Sequence, residues 1–246
     1  MGFFDFLTAK AKTTEGPGLP EALTQETSST RLVHALLAIP KAERDEAWKN
    51  LFLAHVAEAA FYGGDPRIVQ GADHFPYFAL YSPKPLQAYP SHILHHMKDD
   101  FLLDQGLGIV INPDGPDADW AFSYGDLLNY HLNGVFYPAQ SHLASACAVE
   151  PESSPAPEER LPPAARKALR TFLQGLGVAE PGVRLAAWDG AGPGSLELVF
   201  KFSPQDFASV DAFRMAMSSI YWFLPRNYSY SVAGKEARDA SAFVPL

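Results

Sequence analysis

Cys147 is the only cysteine in the 246 residues. No intramolecular disulfide can form, and no thiolate zinc cluster can be assembled within one chain. A reducing compartment is therefore the expectation. Cations are also scarce, with 19 Lys and Arg against 28 Asp and Glu, a formal charge of −9. General affinity for nucleic acid rests on Lys and Arg neutralising phosphates, so no nucleic-acid partner is expected. No apolar run approaches the ~18 residues of a spanning helix, which argues against integral membrane association. The opening "MGFFDFLTAKAKTT" has neither the basic n-region nor the long apolar h-region of a secretory signal. The chain reads as cytoplasmic.

Several catalytic signatures are missing as well. No G-x-x-x-x-G-K-[ST] occurs, and "GLG" at 106–108 precedes a strand instead of opening a helix, so no phosphate cradle and no cofactor are expected. "AFSYGD" sets Ala121-x-Ser123-x-Gly125 between a strand and a helix, the setting of a degenerate nucleophile elbow. A hydrolase would need an acid and then a histidine well downstream, but the last histidine, His142, follows too closely. Ser123 and Asp126 are better read as a capping box, S-x-x-D. Asp114, Asp117 and Asp119 could bind calcium, yet the twelfth position from Asp114 or Asp117 is Gly125 or Leu128, where an EF-hand needs a bidentate carboxylate. Asp99 and Asp100 are sequence neighbours about 100° apart on a helix and poorly aimed for two-carboxylate chemistry. Cys147 and His142 would make a reactive pair only if the fold joined them, and a spectator thiol is preferred.

What is present is globular: 47% apolar and 19% charged residues in a length sufficient for two ordinary domains. Residues 1–30 read as a flexible or surface-wrapped lead-in, and residues 31–147 as an N-terminal α+β domain. "RLVHALLAIP" is a helix stopped by Pro40. In a second helix Trp48, Leu51, Phe52, His55, Val56 and Ala59 share a face up to a break at Gly63-Gly64. His55 reads as a core residue. Strands are expected at 74–82, 106–112 and 119–123, the last two joined by a turn and paired, with a helix at about 125–133. Residues 148–163, rich in Pro, Glu and Ser, read as a linker.

Residues 164–246 then follow an α-β-β-α-β order. A helix spans 164–175 with Leu169, Phe172, Leu173 and Leu176 on one side. "GVRLAAW" and "SLELVFKF" are strands, the second with Leu196, Leu198, Phe200 and Phe202 inward. Ser203 is the expected N-cap of a helix buried along Val210, Phe213, Met217, Ile220 and Leu224. "SSIYWFLPRNYSYS" reads as core and sheet more than as a stacking platform for bases. The fold class is α+β: two small domains, each a mostly antiparallel sheet with helices on one face.

"SHILHHMKDD", 91–100, carries the densest set of ligating side chains. If it is one helix, Ile93, Leu94, Met97 and Phe101 take one side, and His92, His95, His96 and Asp99 fall within about 100° on the other. His92 and His96 have the i, i+4 spacing of zinc-binding imidazoles, and Asp99 could add an oxygen. No glutamate lies between them as in H-E-x-x-H. A solvated polar face explains the same letters, and no metal is expected.

"FPYFALYSPKPLQ", "GLGIVINPDG" and "LPPAARKALRTFLQGLGVAEPGVRLAAW" together resemble segments of the SseB-type proteins, a two-domain bacterial family named for an enhanced-serine-sensitivity phenotype. The resemblance spans most of residues 31–232. "INPDG" is its distinctive match, while "DWAFSYGDLL" and the histidine segment depart from the pattern. It implies a bacterial cytosolic protein without known catalysis, a regulatory or interaction module, and it carries over no catalytic residues. The first expectation is therefore a protein–protein interaction module with an unidentified partner. Phe3, Phe4 and Leu7 at the start, and Asp114 and Trp120 in the 112–126 segment, are candidate contacts. The rival is a metal-dependent enzyme using His92, His95, His96 and Asp99.

Overall fold

A computed structural model describes residues 21–82, 92–114, 117–137, 154–155, 158–187, 196–233 and 243–246. Helix α1 spans Glu21–Leu37 and α2 spans Glu46–His55. Strand β1 covers Ala60–Gln70, β2 Pro76–Tyr81 and β3 His92–Ile93. Helix α3 runs without a break through Leu94–Met97, a π-helical turn at Lys98–Leu102 and Leu103–Gln105. Strands β4, Gly108–Ile111, and β5, Trp120–Phe122, precede α4, Tyr124–Asn133. The second unit holds β6 (Ser154–Pro155), α5 (Pro163–Gly175), β7 (Gly182–Ala187), β8 (Leu196–Phe200), α6 (Val210–Phe223), β9 (Ser229–Val232) and β10 (Val244–Pro245).

The fold is α+β, with two five-stranded sheets. The first has the order β3-β1-β2-β4-β5, and the second β10-β7-β8-β9 with β6 on β7. Pairing is antiparallel except for β2 with β4 and β8 with β9. Paired residues point to the same face. Phe78 pairs with Ile109, Ile109 with Phe122, Leu80 with Ile111, and Ile111 with Trp120. These side chains form the inner face of the first sheet, against which α2 lays Trp48 and Phe52 beside Trp120. The other face is closed at one end by the second unit, where Trp222 of α6 donates its indole N–H to the Tyr77 hydroxyl at 2.7 Å.

Several expectations need correction. Helix α1 begins at Glu21, ten residues before Arg31, so part of the lead-in is helical. Its Ser29 is buried, and the Thr30 hydroxyl accepts from the Ala60 amide at 3.0 Å. Gly63 and Gly64 do not end a helix. They lie inside β1, where the register to β2 shifts between Gly63 and Ile68 in a bulge. Helix α3 starts two residues after His92, which lies on a sheet edge beside Phe61 of β1.

The Ser203 cap exists but closes only the 3₁₀ turn Pro204–Asp206. Ser209 caps α6 by accepting from the Ala212 amide, which leaves Val210 exposed. Leu176, expected to be buried, lies past the end of α5 and is exposed. The β2, β4, β5, α4 and α5 segments lie where the sequence predicts them, because their apolar periodicity is unbroken. Phe3, Phe4, Leu7, His142 and Cys147 fall outside the described residues.

Candidate functional site

The histidine segment divides among three environments. His92, on β3, packs its ring against Phe78 at 5.6 Å. Burial, and then the nearby Arg67 charge, push its pKa below the usual imidazole value. His95, on the first turn of α3, hydrogen-bonds the Tyr130 hydroxyl through Nδ1 at 3.0 Å and lies 3.5 Å from Glu58. His96 is exposed, its ring 5.5 Å from that of His95. Asp99 faces α4 and accepts from Lys98 while contacting His131 Nδ1 at 2.9 Å. Partial burial would raise the Asp99 pKa, but Lys98 and His131 hold it below the ordinary carboxylate value.

These contacts are chiefly ties between helices. Lys98 is nearly buried, with its ammonium 5.9 Å from the Tyr130 ring, so Asp99 keeps a desolvated charge neutralised. Among the described residues no group of three or more His, Cys, Asp or Glu could hold a metal ion. A tetrahedral site needs donors within about 2–2.3 Å of one point, and the strand conformation of His92 removes it from the face that carries His96 and Asp99. Glu58, Tyr130 and His131 went unrecognised in sequence because they come from the turn before β1 and from α4, and no local spacing links them to α3.

The 112–126 segment is equally committed. Asn112 adopts φ 51°, a left-handed conformation that asparagine tolerates better than most residues. Its side-chain Oδ1 accepts from the Ser82 backbone N–H at 2.8 Å, and its side-chain Nδ2 donates to the Ser82 hydroxyl at 2.9 Å and to Asp119 at 2.7 Å. Asp119 in turn holds Arg44 at 2.7 Å. Thus Asn112 is a corner latch. Asp114 accepts from the Tyr81 hydroxyl at 2.7 Å. Burial, and then Asp114, push the Tyr81 pKa up to about 12. Trp120, expected as an exposed contact, is half-buried with its ring 5.1 Å from Phe52 and 5.6 Å from Trp48.

Ser123 and Asp126 form the capping box in both directions, at 3.1 and 3.0 Å. Asp126 does more. Only 1% exposed, it takes two bonds from Arg226 of the second unit, at 2.7 and 3.1 Å. The serine of "AFSYGD" is thus a helix cap beside a seam.

Among the described residues, two openings adjoin α3. One, about 490 Å³, lies where α3 and α4 meet the start of α5, lined by Lys98, Asp99, Asp104, Tyr124, His131 and Pro162. The other, about 310 Å³, lies between β1 and α3, lined by Arg67, Ile68, Phe78, His92, Phe101 and Gln105. No helix among the described residues is long and apolar enough to cross a membrane. No family model, no curated protein and no solved structure matches the chain.

Proposed function

We propose that the chain is a non-catalytic binding module of a bacterial cytosol, of the kind the SseB-type resemblance implies, which meets a protein partner through the outer face of α6. The observation that carries this reading is the exposure of Met215 at 65%, Val210 at 57% and Tyr221 at 49% on one fourteen-residue helix. At 100° per residue these three span an arc of about 140°, with Arg214 and Ser218 between them. Covering the exposed half of such a side chain gains roughly 1 kcal/mol. Methionine adapts to irregular surfaces, and tyrosine is enriched in interface cores.

The polar clusters support the non-catalytic half of the reading. His95, Asp99, His131, Asp119 and Asp126 are each bonded to a neighbouring element, so their chemistry is used in holding helices and corners together. The α6 face replaces Trp120 as the candidate contact in the described part of the chain.

The test is a photo-crosslinking side chain placed at Met215 in the full-length protein, with a control at Arg170 on the exposed side of α5. In bacterial cells, Met215 should give a discrete adduct to an identified protein that is lost with Tyr221→Asp, while Arg170 should give none. Equal labelling at both positions, or an adduct only to a second copy of this chain, would overturn the reading.

A further inference from the structure

We infer that the groove between β1 and α3 is a binding site for a small carboxylate carrying an aromatic or branched apolar body. The site is built from chain positions far apart in sequence. Ile68 of β1 pairs across the sheet with Phe78 of β2, and the Phe78 ring is flanked by His92 at 5.6 Å and Phe101 at 5.3 Å. Ile68, Phe78 and Phe101 therefore make an apolar bed in an opening of about 310 Å³, the lower end of the size range for small-molecule sites. Ile68 is half exposed although it lies in a strand. An apolar ligand body would cover it.

The rim gives the charge of the ligand. Arg67, Gln105 and His92 surround the bed, and Arg67 has no ion-pair partner among the described residues. The planar guanidinium fits a carboxylate with two parallel hydrogen bonds, and the Gln105 amide can donate a third.

Gly63 is part of the construction. A Cβ there would lie 3.0 Å from the His92 ring, so glycine lets the imidazole lie close against β1 at the edge of the groove. Burial and the nearby Arg67 charge lower the His92 pKa, so the imidazole adds no second charge to the rim. An apolar bed with one cation unpaired among the described residues and the neutral Gln105 amide at its rim suits a monoanion with a hydrophobic body.

The probe is 3-phenylpropionate, compared with 3-phenylpropanamide and acetate, titrated into the full-length protein with saturation-transfer NMR and calorimetry. Phenylpropionate should bind in the millimolar range. Binding should weaken at least tenfold for the amide and for Arg67→Gln, since a charge-assisted pair is lost. Ile68→Glu should abolish it by placing a like charge in the bed. Arg67 and Ile68 are exposed, so circular dichroism of both variants should match the parent. Equal affinity for acid and amide, unchanged binding in Arg67→Gln, or no binding of phenylpropionate to the parent would each overturn the assignment.

Discussion

Gly125 shows how one residue can answer to a neighbour a hundred positions away. A Cβ at this position would stand 2.0 Å from the Leu224 carbonyl oxygen and 2.5 Å from its carbon, so α4 meets the second unit backbone to backbone. Alanine is favoured over glycine in a helix by about 1 kcal/mol, yet Gly125→Ala should destabilise the fold by roughly 2–3 kcal/mol because the seam must open. Urea denaturation checks this. The glycine is plain in "AFSYGD", but its reason is not, because nothing local to the motif points to Leu224. His34 carries a second expectation at this scale. Burial lowers its pKa, with a hydrogen bond at Ala60 acting the other way, and among the described residues its buried Nε2 has no hydrogen-bond partner. His92 is lowered too. For both, the unfolded chain binds protons at a higher pH than the folded one. Below the unfolded value of about 6.5 the unfolded state gains protons first, so stability falls with pH. The urea midpoint should drop between pH 7 and pH 5, and His34→Gln should flatten that slope.

Among the elements, the corner between β4 and β5 was the most legible and the most instructive. The Pro-Gly turn and the pairing of its flanking strands follow from local composition, and so does the distinctiveness of "INPDG". What composition does not contain is that Asn112 reaches Ser82 and Asp119 from a left-handed backbone. Asn112→Ala loses these bonds and retains the unfavourable φ, whereas Asn112→Gly loses the bonds alone. The alanine variant should therefore be the less stable of the two by about 1 kcal/mol, against the usual order of these residues. Thermal denaturation of the pair reads the difference. Ser123→Ala should cost about 1 kcal/mol through loss of the α4 cap, measured in the same way, with Asp126 still bonded to Arg226. The elements that sequence reading missed share a cause. β1 contains Gly63, Gly64 and Pro66, which argue locally against a strand, and it exists because β2 pairs with it on both sides of a bulge. The two residues of β3 exist because β1 pairs with them. Where tertiary pairing decides the backbone state, a one-dimensional pattern cannot report it.

Over the whole molecule, buried side chains of both units form one continuous cluster, and the partly buried Phe75 packs against it, stacked on Trp222 at 4.3 Å. Asp126 and Arg226 close the same seam electrostatically. The carboxylate is buried while the guanidinium is half exposed and lies 4.1 Å from the Tyr137 ring. Removing the cation strands a desolvated anion. Arg226→Met should cost about 2–3 kcal/mol, less than for a fully buried pair because solvent already screens the arginine. In an Asp126→Asn background no anion is left behind, although the amide oxygen can still accept from Ser123. There the same Arg226→Met substitution should cost under about 1 kcal/mol. The difference between the two backgrounds isolates the ion pair from the packing of the arginine stem on Tyr137. If the units share one core in solution as they do in the structure, far-ultraviolet circular dichroism and tryptophan fluorescence should give coincident transitions in all four proteins of the cycle. Two separated transitions in Arg226→Met, with the parent showing one, would identify this pair as the contact that makes the two sheets unfold together.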